Sequence, residues 1–372
     1  MPDDARPVDR APAPAGTAEE RLARLRLIRS PRIGPVSYRR LMAEHGTALA
    51  ALAALPDRAA MAGDPGYRAC AEAAARAEGR AARVAGARLL TLGDPDFPAA
   101  LAGLPDGAPV LWAQGDAALL TAPCVAVIGT RNATSLALRM GRALGRDLSA
   151  AGVTVVSGLA RGTDAAAHEA ALPRTVAVHA GGLDRPYPDE NAALAARIAA
   201  EGCAVSTQPF GLSPRARDFP RRNRIVAGLA RAVVVVEAAA RSGSMITARD
   251  ALDLGRDVLA VPGHPLDGRA AGCLMLLRDG ATLVRGADDV LEALDGPAER
   301  SRRRPDPPAE APRALTNDLT ASVLALLSQV PVAEEALARD LGLDTARLAP
   351  ILAELELDGR VLRRPGGGLA LA

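Results

Sequence analysis

The chain has 372 residues, 49% of them hydrophobic and only 2% aromatic, which predicts two or three domains with cores of Ala, Val, Leu and Ile. Formal net charge is +2, and all 45 basic residues are arginine. The absence of lysine excludes a Walker-type phosphate loop, whose lysine must reach the β/γ-phosphates, and Schiff-base chemistry, which needs an ε-amine.

Residues 1–18 are rich in Pro, Ala and Asp and are expected to form a disordered tail, with no apolar stretch of the signal-peptide kind. From 19 to 87 the pattern is helical, broken at Gly34-Pro35. Ile33-Gly34-Pro35-Val36 before Tyr38-Arg39-Arg40-Leu41 predicts a short-turn helical pair, a SAM or helix-hairpin-helix-like domain whose role is structural rather than direct DNA contact. Residues 88–296 alternate short β-branched runs with helical stretches. The runs fall at 125–128, 153–156, 175–178, 204–206, 233–236, 258–261 and 282–284. Each is almost wholly apolar, as parallel strands buried on both faces are. The repeated βα order therefore predicts an α/β fold with an extended Rossmann-like, doubly wound parallel sheet.

Residues 297–315 read as a Pro/Arg-rich linker containing Arg302-Arg303-Arg304. Residues 316–372 predict three short helices at 321–328, 332–341 and 345–357, then strands at 360–364 and 369–372 across Pro365-Gly366-Gly367-Gly368. Three helices and a β-hairpin describe a winged-helix domain. Its expected recognition helix sets Arg347 against Asp344, Glu354, Glu356 and Asp358, a poor match to phosphate, so a protein-interaction or dimer module is the better reading. Cys70, Cys124, Cys203 and Cys273 lie far apart without a CxxC pair, which predicts buried thiols in a reducing cytosol and no zinc or disulfide framework. The longest apolar runs, such as 232–236, fall far short of a membrane span, so a soluble cytoplasmic protein is expected.

In an open parallel sheet, ligands sit at the carboxyl ends of the strands, where helix N-termini offer N–H groups. After the first run comes Gly129-Thr130-Arg131-Asn132-Ala133-Thr134, a close-approach glycine, a hydroxyl and a guanidinium fork. It is not GxGxxG, so a dinucleotide is poorly supported. The second run leads into Ser157-Gly158-Leu159-Ala160-Arg161-Gly162-Thr163-Asp164, an anion nest at a helix start. Asp164 and His168 share a helix face and suit a metal or acid/base pair. The preferred alternative is that Asp164 caps the helix or orients Arg161 while His168 is a buried partner, because no third ligand or nucleophile lies nearby in sequence.

The strongest cluster is 215–224, where Arg215, Arg217, Arg221, Arg222 and Arg224 face a single Asp218. Phe219, one of three phenylalanines, suits stacking on an exposed base. Asn223 and Arg224, which open a helix, are expected to pin this loop to the sheet. Two more turns follow, Arg241-Ser242-Gly243-Ser244-Met245-Ile246-Thr247 and Val261-Pro262-Gly263. Several anion-friendly turns on one sheet edge suit a ligand with more than one phosphate, such as a nucleic-acid strand.

These motifs, with Gly182-Leu183-Asp184…Tyr187-Pro188, closely resemble the DNA-processing protein A (DprA, Smf) family in order and spacing from 88 to 296. The helical N-terminal segment and the winged helix also resemble that family's flanking domains. The resemblance implies a recombination mediator without enzymatic activity, metal or cofactor. Such a protein binds incoming single-stranded DNA in natural transformation, protects it, loads the RecA recombinase, and forms a homodimer through the Rossmann-like domain. The DNA-binding candidates are Gly129, Thr130, Arg131, Ser157, Gly158, Arg161, Gly162, Arg217, Phe219, Arg221, Arg222, Asn223, Arg224, Ser242, Gly243, Ser244 and Thr247, with Asp164 and His168 structural or capping. Thr130 stands where the family has serine, Ser206-Thr207-Gln208-Pro209 lacks a common acidic residue, and Cys273 replaces an asparagine. The competing reading is a nucleotide-processing enzyme of the phosphoribohydrolase type. Gly181-Gly182-Leu183-Asp184 does not reproduce that group's Pro-Gly-Gly-x-Gly-Thr signature.

Overall fold

The computed structural model describes residues 15–295, 319–327, 331–364 and 367–372. The expected linker and residues 1–14 of the expected tail lie outside the described residues, whereas Thr17 and Ala18 are the cap and first residue of a helix. The described residues form two compact units, one on each side of residue 296.

The first unit opens with α1 (Ala18–Arg29), α2 (Pro35–His45), α3 (Ala48–Met61) and α4 (Glu72–Val84). Thr17 caps α1 by accepting from the Glu20 N–H at 3.1 Å. Gly34-Pro35 starts α2, with proline at the position where a missing N–H costs nothing. Then follow β1 (Ala87–Thr91), α5 (Ala99–Ala102), β2 (Val110–Gly115), β3 (Cys124–Ile128), α6 (Ser135–Ala150), β4 (Thr154–Ser157), α7 (Thr163–Ala171), β5 (Thr175–Val178), α8 (Ala192–Glu201) and β6 (Cys203–Ser206). The unit ends with α9 (Asp218–Leu229), β7 (Ala232–Val235), α10 (Gly243–Asp253), β8 (Asp257–Ala260), α11 (Ala271–Arg278), β9 (Thr282–Leu283) and α12 (Ala287–Leu294).

The nine strands form one sheet in the order β1-β2-β6-β5-β4-β3-β7-β8-β9. Strands β3 to β9 pair in parallel and correspond to the seven apolar runs, with Val125 opposite Val155 and Val127 opposite Val234. The sheet differs from the sequence expectation at one edge. Strand β2 adds antiparallel to β6 and β1 antiparallel to β2, and the edge strand β1 is half exposed, so it lacks the continuous apolar signature of the others. Alternate residues of β3 enter two cores. Ala126 and Ile128 join α9, α10 and α11 on one face, while Val125 and Val127 join α6, α7 and α12 on the other. Leu25 of α1 and Ala75 and Ala82 of α4 pack on Trp112 of β2 and Ala204 of β6, which ties the N-terminal helices to the sheet in one unit.

From β3 the chain winds outward through β4, β5 and β6, then returns to the other side of β3 as β7. The turns after β3 and β7 therefore flank a topological switch point, where doubly wound sheets open a crevice. Helix α7 is drawn close to α6 by Gly145, where a Cβ would lie 2.4 Å from the Ala167 carbonyl oxygen.

The second unit holds α13 (Leu319–Leu326), α14 (Glu334–Leu341), α15 (Thr345–Leu357), β10 (Val361–Arg363) and β11 (Leu369–Leu371). Leu337, Leu348, Leu352, Val361 and Leu369 form its core, and β10 pairs antiparallel with β11, giving the winged-helix arrangement. Among the described residues no helix is long and apolar enough to cross a membrane. Cys124, Cys203 and Cys273 are buried free thiols, and Cys70 is a half-buried one.

Candidate functional site

Four chain segments meet in a cleft of ≈ 570 Å³ at the switch point. The β3 turn contributes Gly129, Thr130, Arg131 and Asn132, and the β4 turn contributes Gly158, Ala160 and Asp164. Helix α9 contributes Phe219, Arg222, Asn223 and Val226, and the start of α10 contributes Ser242, Gly243, Ser244 and Thr247. Distant motifs thus become neighbours because each follows the carboxyl end of a strand.

The β3 turn is fixed from behind. The Thr130 N–H donates to the Glu237 carbonyl at 2.8 Å. The buried Glu237 carboxylate accepts from the Thr134 N–H at 3.0 Å and the Thr134 hydroxyl at 2.8 Å. Thr134 in turn caps α6 through Ala137 at 3.1 Å. Ser244 donates to the Gly129 carbonyl at 2.7 Å, tying α10 to the same turn. Thr134 and Glu237 were not among the sequence candidates. Their signal is an acidic residue directly after a buried strand on an edge otherwise rich in arginine.

The segment from Phe219 to Arg224 is helix, not loop, since α9 begins at Asp218. Asp218 accepts from the Arg215 N–H at 2.9 Å, and an acidic residue followed by proline in a first turn is a helix-start signal. Helical spacing then separates the arginines. Arg222 turns inward, 6% exposed, and donates to the Gly158 carbonyl and to the Val178 carbonyl, the latter at 2.9 Å. A Cβ on Gly158 would lie 2.5 Å from the Arg222 guanidinium carbon, so only glycine admits this close approach. Burial lowers the Arg222 pKa to about 10 against the attraction of Asp164, with Arg131 adding repulsion. Burial raises the Asp164 carboxyl, opposed by Arg222 and by the N–H groups of Ala160 and Gly158, the latter at 3.1 Å.

Arg131 is exposed at the mouth of the cleft, its guanidinium carbon 5.5 Å from the centre of the Phe219 ring. The Arg222 guanidinium carbon lies 5.9 Å from that centre, and Tyr187 meets the same ring edge-on at 5.3 Å. Phe219 is thus held by two cations and a second ring.

The remaining candidates fall elsewhere. Ser157 is buried and donates to the Val127 carbonyl at 2.7 Å. Gly162 precedes α7 as its cap. Arg161 lies beside the cleft near Tyr187 and pairs with Glu190 at 3.2 Å, so Asp164 does not orient it. Arg217 is exposed at the cap of α9. Arg221 and Arg224 line a separate cavity across α9, and Arg224 pairs with Asp106 at 2.6 Å and Asp250 at 3.6 Å. Asn223, which does line the cleft, does not tie α9 to the sheet; its side-chain oxygen accepts from the Arg222 Nε at 3.0 Å.

Asp164 and His168 do not form a pair. The Thr175 hydroxyl donates to the Val155 carbonyl at 2.8 Å, so at 2.7 Å it accepts from His168 Nδ1, which sets the tautomer. Burial, with His179 and Arg222 nearby, lowers the His168 pKa to about 3. Among the described residues no cluster of three or more His, Cys, Asp or Glu side chains suits a metal ion.

A family model described as DNA recombination-mediator protein A matches residues 88–295, more than half of the chain. The chain belongs to this family. The models for the DprA-like N-terminal HHH domain and the DprA winged helix domain match residues 18–81 and 306–367. The chain is 41% identical over 303 residues to a putative DNA processing protein DprA of Mycobacterium tuberculosis, covering 76% of each. It is also 41% identical over 219 residues to the Smf protein of Synechocystis, where the match spans 56% of this chain and about half, 54%, of that protein. Among solved structures, a DprA from Helicobacter pylori described for its single-stranded DNA binding mode is 32% identical with a TM-score of 0.51, covering 56% of this chain and 95% of that one. The DprA assignment accounts for the mostly parallel sheet, the N-terminal helices and the winged helix together.

Proposed function

We propose that the cleft between the β3 and β7 turns binds single-stranded DNA. The observation that carries this reading is the Phe219 ring beside the Arg131 and Arg222 guanidinium groups at the mouth of a glycine- and hydroxyl-lined cleft. An aromatic face amid guanidinium groups stacks on an unpaired base while the cations meet the backbone. A duplex keeps its base faces stacked inside and offers none to that ring. The DNA-binding description of the Helicobacter pylori structure supports the same ligand.

On this reading Arg131, Thr130, Phe219, Asn223, Gly243 and Thr247 contact the strand, whereas Arg222, Gly158, Ser244, Ser157 and Gly162 shape the cleft. The protein acts as a cytoplasmic recombination mediator that protects incoming DNA and loads the RecA recombinase. It works as a homodimer through the sheet domain, and the winged helix serves protein contacts. The site is for binding, not catalysis, because the Asp164 carboxylate is committed to backbone N–H groups and His168 is fully buried.

Fluorescence anisotropy with a labelled oligodeoxythymidylate and a duplex of equal length tests this. The single strand is expected to bind at least tenfold more tightly, roughly the worth of one or two stacked bases. Equal affinity for both forms would reject the reading. Release of free base from nucleoside monophosphates would instead establish an enzyme.

A further inference from the structure

The first cleft absorbs only part of the basic run at 215–224. Arg221 and Arg224 face a second cavity of ≈ 410 Å³ on the other side of α9, bounded by the α1–α2 turn, the segment before β2, and Thr207-Gln208. Its walls are apolar at Ile33, Leu104 and Ile225, with Gln208 and the Asp106–Arg224 ion pair supplying a polar edge. A nucleobase needs both, since its ring faces want apolar contact and its edge wants hydrogen bonds.

We propose that this cavity is a second subsite for the same DNA strand, taking one base while Arg221 holds the adjoining phosphate. The proposal rests on the first cleft being the strand site. Continuity argues for the strand over a partner protein. Helix α9 is the common wall, with Phe219, Arg222 and Val226 on one side and Arg221, Arg224 and Ile225 on the other. A helix is only about 10 Å across, so a strand leaving the first cleft crosses it within a few nucleotides. The crossing passes exposed Pro220 and Arg221. Arg224 is already matched by Asp106 and Asp250, which leaves Arg221, exposed and without an ion-pair partner among the described residues, as the cation for phosphate.

The test compares oligodeoxythymidylates of about 2 nucleotides, too short to span α9 from one cavity to the other, and about 18 nucleotides, by anisotropy on the full chain. Ala108→Phe and Thr207→Trp fill the cavity from two wall segments. Each is expected to weaken the longer strand about tenfold and to leave the shorter one at its wild-type Kd. Arg221→Glu, a surface change, is expected to weaken the longer strand by a similar factor and decides the matter if both filled variants fail to fold. Wild-type affinity for the longer strand in a folded filled variant and in Arg221→Glu would overturn the second subsite and leave the cavity to another occupant, such as a peptide side chain. Failure of the wild type to bind either length would overturn the first-cleft reading itself.

Discussion

Arg131 stands exposed above the Phe219 ring, whereas Arg222, three residues along α9 from that ring, is buried and donates to two backbone carbonyls. The two cations therefore answer differently to removal. Arg131→Ala is expected to lower affinity for single-stranded DNA roughly tenfold and to leave thermal unfolding unchanged, as loss of an exposed charged contact does. Arg222→Ala is expected to cost about 3–5 kcal/mol of stability, because it leaves the buried Asp164 carboxylate facing an empty space. Denaturant unfolding of the two variants side by side checks this, and a stable Arg222→Ala protein would show that Asp164 does not depend on it. Phe219→Leu keeps bulk but removes the stacking face, so binding should weaken by about 1–3 kcal/mol with no change in salt dependence.

At the scale of elements, the sheet positions the chemistry and a buried polar layer underlies it. His168 on α7 and His179 after β5 are neutral in the folded protein, their pKa values lowered by burial from 6.5 to about 3 and about 4. The unfolded chain takes up protons at both as pH falls below 6.5, and the folded chain does not, so stability is lost with acidification. The loss is about 1.4 kcal/mol per pH unit per histidine between pH 6.5 and those lower values. His179→Asn should flatten the slope of unfolding free energy between pH 6.5 and 4.5. Parallel slopes for variant and wild type would refute the assignment. Gly145→Ala, which drives a Cβ toward the Ala167 carbonyl, is expected to cost about 1–3 kcal/mol despite alanine's better helix propensity. The parallel strands were legible because runs such as 232–236 are uniformly apolar and β-branched or alanine. Strand β1 was not, since Arg88 interrupts a half-exposed edge strand, and β2, interior between β1 and β6, offers one β-branched residue, Val110, in its short run. The cleft's glycines, hydroxyls and arginines could be named from their places after strands. Which arginines face it could not, because that depends on α9 starting at Asp218 and on the 3.6-residue turn that parts Arg222 from Arg221 and Arg224.

For the whole molecule, a net charge of only +2 gives no general attraction to a polyanion, so binding must come from local placement. Exposed cations around the first cleft and over α9 include Arg131, Arg161, Arg217 and Arg221, and Arg161 already shares its charge with Glu190. Each phosphate contact to a single strand contributes about −0.7 to the slope of log K against log salt. Three to four contacts therefore predict a slope of about −2 to −3 for a strand long enough to cross α9. Arg131→Ala should make it shallower by about 0.7, and Arg221→Glu should do so only for the longer strand. Helix α15 of the winged helix carries Glu354 and Glu356 against Arg347, so removing residues 316–372 should leave the slope unchanged. A slope near zero would place the binding energy in base stacking alone. A slope that collapses on truncation would move the phosphate contacts to the second unit, and either result would displace Arg131 from its assigned part.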